Sequence, residues 1–342
     1  MALLALQVMG LLVGCSSSAS SSGSASSSSD GDRYANYSQT YTVPYTNTPN
    51  FAALSSTLKV QAQVNGGTAA SYTVDTGSVG VVVPATEVPN IPAGAPAGSL
   101  KYSSSGLLLT GVWVTMPVTF PQATGVLNGT ATATVPVLAV SSGTCTGTGV
   151  NSKNCTGAIP HMLGVGFGRG TDPTTSPVYN PFLNLGEMTA GTMRRGYEIT
   201  RTGVLLGITS VSSSGYAMQA LTSAGTPAAG THNDWVTPSG SFALGSSTYS
   251  GSVLLDTGLL NMIVEDATLP QSGSVASGTT MTVTLGSRSY SFAVNDNGVQ
   301  TPTSVSYASA SHGTFLNTGL RALGHYDLLF DADGGYLGLR PE

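Results

Sequence analysis

Charged residues are scarce in this sequence. Asp, Glu, Lys and Arg make up 8% of its 342 residues, whereas about 25% is usual for a soluble domain. The 11 Lys and Arg residues form no run longer than the pair at 194 and 195, and the formal net charge is −5. Because nucleic-acid binding needs basic patches that contact phosphates, this composition argues against a nucleic-acid partner.

Long apolar runs are absent as well. The apolar stretch at residues 3–14 is too short to span a bilayer, which takes about 20 residues, but it suits a signal peptide. The small residues before Cys15 resemble the bacterial lipobox, which implies cleavage before Cys15 and lipid attachment to it. We therefore expect a signal peptide over residues 1–15. No Lys or Arg precedes the stretch, so either the start lies further upstream or the signal is atypical. Ordinary secretion with an incidental Cys15 is the alternative.

Residues 16–40 begin with a tract made almost entirely of Ser, Ala and Gly. Such a tract cannot bury a core, and it predicts a flexible tether. Signal peptide, Cys15 and tether together predict an extracytoplasmic domain that a lipid anchors to a bacterial membrane, at the outer membrane or the cell surface.

Cysteine is rare, with three in the chain. Cys145 and Cys155 lie ten residues apart in a segment rich in Gly, Thr and Ser, which predicts a local disulfide formed in an oxidising compartment. Two free thiols or half of a metal site are the alternatives. No His or other Cys stands nearby at metal-ligand spacing, so we expect no metal and no cofactor.

The rest of the chain consists of short segments that alternate between apolar and polar residues, separated by Gly, Pro, Asn and Ser. Examples are LKVQAQV (58–64), GVWVTMPVTF (111–120) and TMTVTLG (280–286). Alternation with a period of two over many short segments predicts an all-β protein.

The two halves of the chain resemble each other. VDTGSVGVVVP (74–84) and LDTGLLNMIV (255–264) each place Asp-Thr-Gly between apolar segments, and the two aspartates are separated by 181 positions (75 and 256). This repeat predicts an internal duplication into β lobes at residues 41–190 and 191–342. A site between the two lobes is expected, because the interface between domains is a common place for one.

A single Asp-Thr-Gly is most simply a β-turn, but two copies in matching contexts indicate paired chemistry. Two nearby carboxylates cannot both ionise, so Asp75 and Asp256 would share one proton. The ionised member can take a proton from water while the other donates to a peptide carbonyl. Gly77 and Gly258 allow close approach of the backbone. The hydroxyls of Thr76 and Thr257 can link the two turns.

Over residues 41–342 the chain resembles the pepsin-like aspartic proteases. Asp75, Thr76, Gly77 and Ser78 match the first active-site turn of that family, and Asp256, Thr257 and Gly258 match the second. Tyr102, in LKYSSSG (100–106), stands at the flap tyrosine, and YDLLFDADGGYLGLRP (326–341) is similar to the closing strand. The resemblance implies a two-lobed pepsin-like fold and an endopeptidase that cuts peptides or proteins, and we expect it to act as a monomer. Tyr102 as an ordinary packed strand residue is the alternative.

Several positions depart from the family pattern. Leu259 stands where Ser or Thr usually follows the second triplet, and Val82 replaces the tryptophan that partners the flap tyrosine. Tyr102 follows Asp75 by only 27 positions (75 and 102), and Asn317-Thr318-Gly319 replaces two apolar residues and Gly. These departures predict an altered environment around the carboxyls of Asp75 and Asp256, and a Tyr102 that is held less firmly.

Two other functions fit the sequence less well. A pepsin-like lipoprotein that binds a peptide or glycan without cutting would be expected to lose part of an Asp-Thr-Gly triplet, and both triplets are complete. A serine hydrolase would need a nucleophile elbow, and none of the four histidines accompanies a Gly-x-Ser-x-Gly motif.

The lipid anchor is testable on the mature protein. Mass spectrometry of its N-terminus is expected to show Cys15 carrying a diacylglyceryl group. An N-terminus at another residue, or an unmodified Cys15, would contradict the anchor.

Overall fold

The computed structural model describes residues 33–342 except 48, 52, 126–129, 171–173 and 229. The predicted signal peptide, Cys15 and most of the tether lie outside the described residues and stay predictions. Helices are few and short in the described part: α1 (Ser176–Tyr179) and α2 (Gly186–Thr189), with 3-10 turns at Ala85–Glu87, Ser152–Asn154 and Leu320–Gly324. No helix among these residues is long and apolar enough to cross a bilayer.

The first lobe is a seven-stranded sheet. Numbered along the chain, its strands are β2 (Lys59–Val64), β3 (Ala70–Asp75), β4 (Val79–Pro84), β5 (Ala97–Tyr102), β6 (Leu107–Phe120), β8 (Ala131–Cys145) and β9 (Met162–Val165). Their spatial order is β2-β3-β9-β4-β8-β6-β5, and β2 also pairs with β6. Alternate residues of β2 are buried, because the side chains of a strand point to opposite faces in turn.

The second lobe is another seven-stranded sheet. It contains β15 (Ser239–Leu244), β16 (Ser247–Leu254), β17 (Met262–Glu265), β18 (Thr280–Leu285), β19 (Arg288–Ala293), β20 (Val305–Tyr307) and β21 (Phe315–Asn317). The spatial order is β19-β18-β15-β16-β21-β17-β20. A small two-stranded ribbon of β13 (Ser223–Gly225) and β14 (Asp234–Trp235) lies apart from this sheet.

The strands around the two Asp-Thr-Gly turns are paired in the same way. In the first lobe β3 runs parallel to β9, which is antiparallel to β4, and β4 is parallel to β8. In the second lobe β16, β21, β17 and β20 repeat these directions in the same order. The predicted duplication into two β lobes is therefore confirmed.

A third sheet joins the lobes. Its order is β12-β23-β22-β10-β11-β1-β7. It draws strands from both halves of the chain: β1 (Tyr41–Pro44), β7 (Thr124–Gly125), β10 (Gly196–Ile199), β11 (Gly203–Leu206), β12 (Ala217–Ala220), β22 (Tyr326–Asp331) and β23 (Tyr336–Pro341). Because each lobe contributes strands, this sheet holds the two lobes together.

Residues before position 41 also pack against the fold. Tyr34, inside the segment predicted as a tether, is fully buried, and its hydroxyl donates to Asp331 Oδ2 at 3.1 Å. The guanidinium of Arg33 lies 3.6 Å from the centre of the Tyr336 ring. Aromatic burial against β22 and β23 thus fixes the end of the segment to the central sheet.

The central sheet also buries acidic groups. Glu198 on β10 is 1% exposed. The Tyr216 hydroxyl donates to its Oε2 at 3.1 Å, whereas its Oε1 has no partner among the described residues. Burial raises the pKa of Glu198 to about 7, since loss of water disfavours the charged form. Burial, followed by a hydrogen bond with Glu342, raises the pKa of Asp327 to about 7 as well.

These raised pKa values predict a fold that is more stable in acid than at neutral pH. A carboxyl whose pKa is higher in the folded state stabilises the fold below its ordinary value of 4.5, and this contribution is lost as the pH rises through about 7. For Glu198 the loss is on the order of 3 kcal/mol. Urea denaturation is expected to show a falling free energy of unfolding over this range and a flatter dependence in Glu198→Gln. Identical slopes in the two proteins would contradict the assignment to Glu198.

Candidate active site

The two Asp-Thr-Gly turns meet where the lobes touch. Asp75 ends β3, Asp256 follows β16, and each residue is 5% exposed. A Cβ atom on Gly77 would lie 2.3 Å from Asp256 Oδ2, and one on Gly258 would lie 2.4 Å from Asp75 Oδ1. Each glycine therefore leaves the space that the carboxylate of the other lobe occupies.

Crossed hydrogen bonds between the two threonines hold the turns together. The Thr76 amide donates to Thr257 Oγ1 at 3.1 Å, and the Thr257 amide donates to Thr76 Oγ1 at 3.0 Å. Each hydroxyl then donates to a carbonyl of the other lobe, Thr257 to Val74 and Thr76 to Leu255. Both residues are buried, and these hydrogen bonds link the two turns across the lobe interface.

Each carboxylate receives one backbone donor and one side-chain donor. Asp75 accepts from the Gly77 amide at 2.7 Å and from the Ser78 hydroxyl at 2.5 Å. Asp256 accepts from the Gly258 amide at 2.8 Å. Its second donor is the side-chain amide of Asn317, whose Nδ2 lies 2.6 Å from Asp256 Oδ2.

Burial and the neighbouring carboxylate both affect the ionisation of Asp75. Burial, and next the negative charge of Asp256, raises the pKa of Asp75 to about 7. Two carboxyls this close hold one proton between them over a range of pH, because the doubly charged form is disfavoured. Over that range the site contains an acid and a base side by side.

A cleft of about 680 Å³ lies above the pair. Both lobes line it. The hairpin of β5 and β6, which we call the flap, covers it. Gly168, Arg169 and Gly170 also line a second cavity of about 550 Å³, which reaches His312 and Phe315. The two cavities therefore adjoin at this loop.

Tyr102 lies on the flap and faces the first turn. Its hydroxyl is buried without a hydrogen-bond partner among the described residues. Burial, and next the charge of Asp75, raises the pKa of Tyr102 well above its usual value. Its ring packs with an apolar cluster that includes Val82, Leu109 and Leu138. Tyr102 is therefore held by packing, and Val82, which stands in for the expected tryptophan, belongs to the same cluster.

A loop closed by a disulfide supports the tip of the flap. Cys145 and Cys155 are bonded, as predicted, with Cα atoms 5.8 Å apart. From this loop the Thr146 amide donates to Gly106 O at 2.9 Å, and the Asn151 amide donates to Ser104 O at 2.7 Å. The Asn151 side chain also donates to Asn261 Oδ1 of the second lobe at 3.0 Å. The loop thus connects the flap to both lobes.

The described residues contain no group of three or more His, Cys, Asp or Glu side chains that could hold a metal ion. The polar side chains that line the cleft include the carboxyl pair, the hydroxyls of Ser78 and Tyr102, and the cationic groups of Lys101 and Arg169.

A comparison with solved structures identifies the fold. The chain superposes on the crystal structure of the aspartic proteinase from Irpex lacteus with a TM-score of 0.56 and 16% identity, over 89% of this chain and 97% of that chain. The fold is that of a pepsin-like aspartic proteinase. No family model matches the sequence, and no curated protein sequence matches it. At this identity the likeness shows the fold alone.

The structure brings together every residue predicted at the two turns. Asn317 is the site residue whose contact was missed: its departure from the family pattern is visible in the sequence, but its bond to Asp256 is not. Trp113, on the flap strand β6, packs behind the flap and does not line the cleft. Its ring fills the space beside Gly98, where a Cβ atom would lie 2.2 Å from the indole, and it stacks edge-on against Tyr179.

Removal of the disulfide is expected to loosen the flap. Replacement of Cys145 and Cys155 by Ser opens the loop, at a cost to stability of about 2–3 kcal/mol for a loop of this length. Hydrogen–deuterium exchange should then quicken at Thr146 and Asn151, while the amides of β10 and β22 keep their protection. Unchanged exchange at Thr146 and Asn151 would show that the loop supports the flap without the disulfide.

Proposed function

We propose that the protein is an aspartic endopeptidase in which Asp75 and Asp256 activate a water molecule to hydrolyse a peptide bond. The observation that carries this proposal is the pairing of two buried carboxyls across the lobe interface, with the pKa of Asp75 raised to about 7. A carboxyl pair that shares one proton supplies both a general base and a general acid.

The reaction follows from the ionised state of one carboxyl and the protonated state of the other. The ionised carboxylate takes a proton from the water as its oxygen attacks the peptide carbonyl carbon, and the protonated carboxyl donates to the carbonyl oxygen. The product of this step is a tetrahedral diol, with no covalent bond to the protein. Transfer of a proton to the amide nitrogen then breaks the C–N bond and releases an amine and a carboxylic acid.

The substrate class follows from the shape and chemistry of the cleft. The cleft runs between the lobes beneath the flap, and Ser99, Ser103 and Ser104 on the flap line it together with Leu100 and Leu107. Hydroxyls and backbone groups can pair with the backbone of an extended peptide, and the apolar side chains can contact its side chains. We therefore propose extended peptide segments as substrates.

Digestion of a mixed peptide library over a range of pH tests the proposal. Cleavage is expected at acidic pH and should fall as the pH rises through about 7, where the shared proton leaves Asp75. Asp75→Asn and Asp256→Asn should each reduce the rate by about 10²–10⁴-fold. The exposed carboxylate of Asp296 lies in a turn of the second lobe, so Asp296→Asn serves as the matched control and should cleave like the wild type.

Two results would contradict the proposal. Equal cleavage by the wild type and both variants of the pair would show that the carboxyls do not perform the chemistry. Absence of cleavage by all proteins at every pH would instead favour a cleft that binds peptides or glycans without cutting them.

A further inference from the structure

The structural duplication allows positions in the two lobes to be matched. Ser78 follows the first triplet, and Leu259 follows the second at the same offset of 181 positions that separates Thr76 from Thr257. On the neighbouring strands, Met162 pairs with Thr73 and Val82, and Asn317 pairs with Leu254 and Ile263. Asn317 therefore occupies in the second lobe the place of Met162 in the first.

At these matched positions, the hydrogen-bond donor and the apolar residue have changed places. In the first lobe Ser78 provides the donor to Asp75, and Met162 is apolar. In the second lobe Leu259 has no donor, and Asn317 donates to Asp256 Oδ2 at 2.6 Å. Each carboxylate therefore keeps one side-chain donor, but the donor comes from a different strand.

The orientation of the Asn317 amide is determined by a second hydrogen bond. The Gly319 amide donates to Asn317 Oδ1 at 2.9 Å, so the oxygen points away from the pair and the NH₂ group points towards Asp256. Asn317 is buried, with 6% exposed. A rotated amide would place two oxygens against each other and leave the Gly319 amide unpaired, which is costly in a buried site.

The NH₂ group of Asn317 and the hydroxyl of Ser78 differ in the protonation states of the carboxyl that they allow. An NH₂ group has no lone pair to offer, so the Asp256 oxygen facing it must accept and cannot carry the proton there. The Ser78 hydroxyl can donate or accept, so it tolerates either state of Asp75. We propose that Asn317 is a positioning residue that keeps Asp256 ionised, as the member that activates water, and leaves the shared proton on Asp75.

Other charged and titratable side chains also face the cleft around the pair. The charged and titratable side chains that line the cleft are Lys101, Tyr102 and Arg169, besides the two aspartates. Tyr102 lies near Asp75, and Arg169 donates to the Gly77 carbonyl at 3.1 Å. The side-chain hydrogen bonds to the two carboxylates come from Ser78 and Asn317.

The assignment rests on the proposed function for its catalytic meaning, but the titration of the pair can be measured without any cleavage. Carboxyl ¹³C NMR of aspartate-labelled protein, with resonances assigned through Asp75→Asn and Asp256→Asn, gives the apparent pKa values. In the wild type the lower of the two is expected to belong to Asp256. A lower value at Asp75 would overturn the proposal, whether or not any variant of Asn317 folds.

Two variants test the role of Asn317 directly. Asn317→Met copies the residue of the first lobe and removes the donor, so the lower pKa should rise by about 1–2 units, the value of one hydrogen bond to a charged group. Leu259→Ser in the same protein recreates the Ser78 arrangement beside Asp256, and it should reverse most of the rise. An unchanged titration in folded Asn317→Met would overturn the proposal.

Activity provides a second readout. In Asn317→Met the acidic limb of the kcat/KM profile should move to higher pH with the NMR value, and Leu259→Ser should move it back. A uniform loss of activity with an unmoved acidic limb would indicate a merely structural role and overturn the proposal. If the wild type cleaves no peptide, the proposed function fails, and the NMR titration still decides the state of Asp256.

Discussion

The crossed hydrogen bonds between Thr76 and Thr257 are the interaction on which the site depends. Through them each turn is held by the other lobe, and the amide and the hydroxyl of each threonine are used. Since both residues are buried, a broken link would leave unpaired polar groups in the interface. The link also holds together the two turns that carry Asp75 and Asp256.

The two lobes are alike in backbone but unlike in the donors they offer. A symmetric pair of carboxyls would have no preferred place for the shared proton, and chemistry that needs one acid and one base benefits from a preference. Here the difference comes from Ser78 in one lobe and Asn317 in the other, each on a different strand. The departures at Leu259 and Asn317 are thus two parts of one arrangement.

Buried carboxyls with raised pKa values occur outside the cleft as well as in it. Asp75 at the site and Glu198 and Asp327 in the central sheet all have pKa values raised to about 7, with burial as the main cause. Each group is neutral in acid and must be buried as a charge at higher pH. Glu198 and Asp327 therefore contribute to stability in the same pH range that favours a shared proton at the site.

The sequence by itself determined the features that depend on local pattern. Alternation predicted the β strands, the two triplets predicted the paired turns, and the spacing of Cys145 and Cys155 predicted the disulfide, because each signal lies within a few residues. Only the tertiary structure decided the contacts between distant segments. Asn317 lies 61 positions from Asp256, and the register of β21 against β16 brings the two together. The burial of Tyr34 and the raised pKa of Asp75 likewise arise from packing against remote strands, which no local pattern contains.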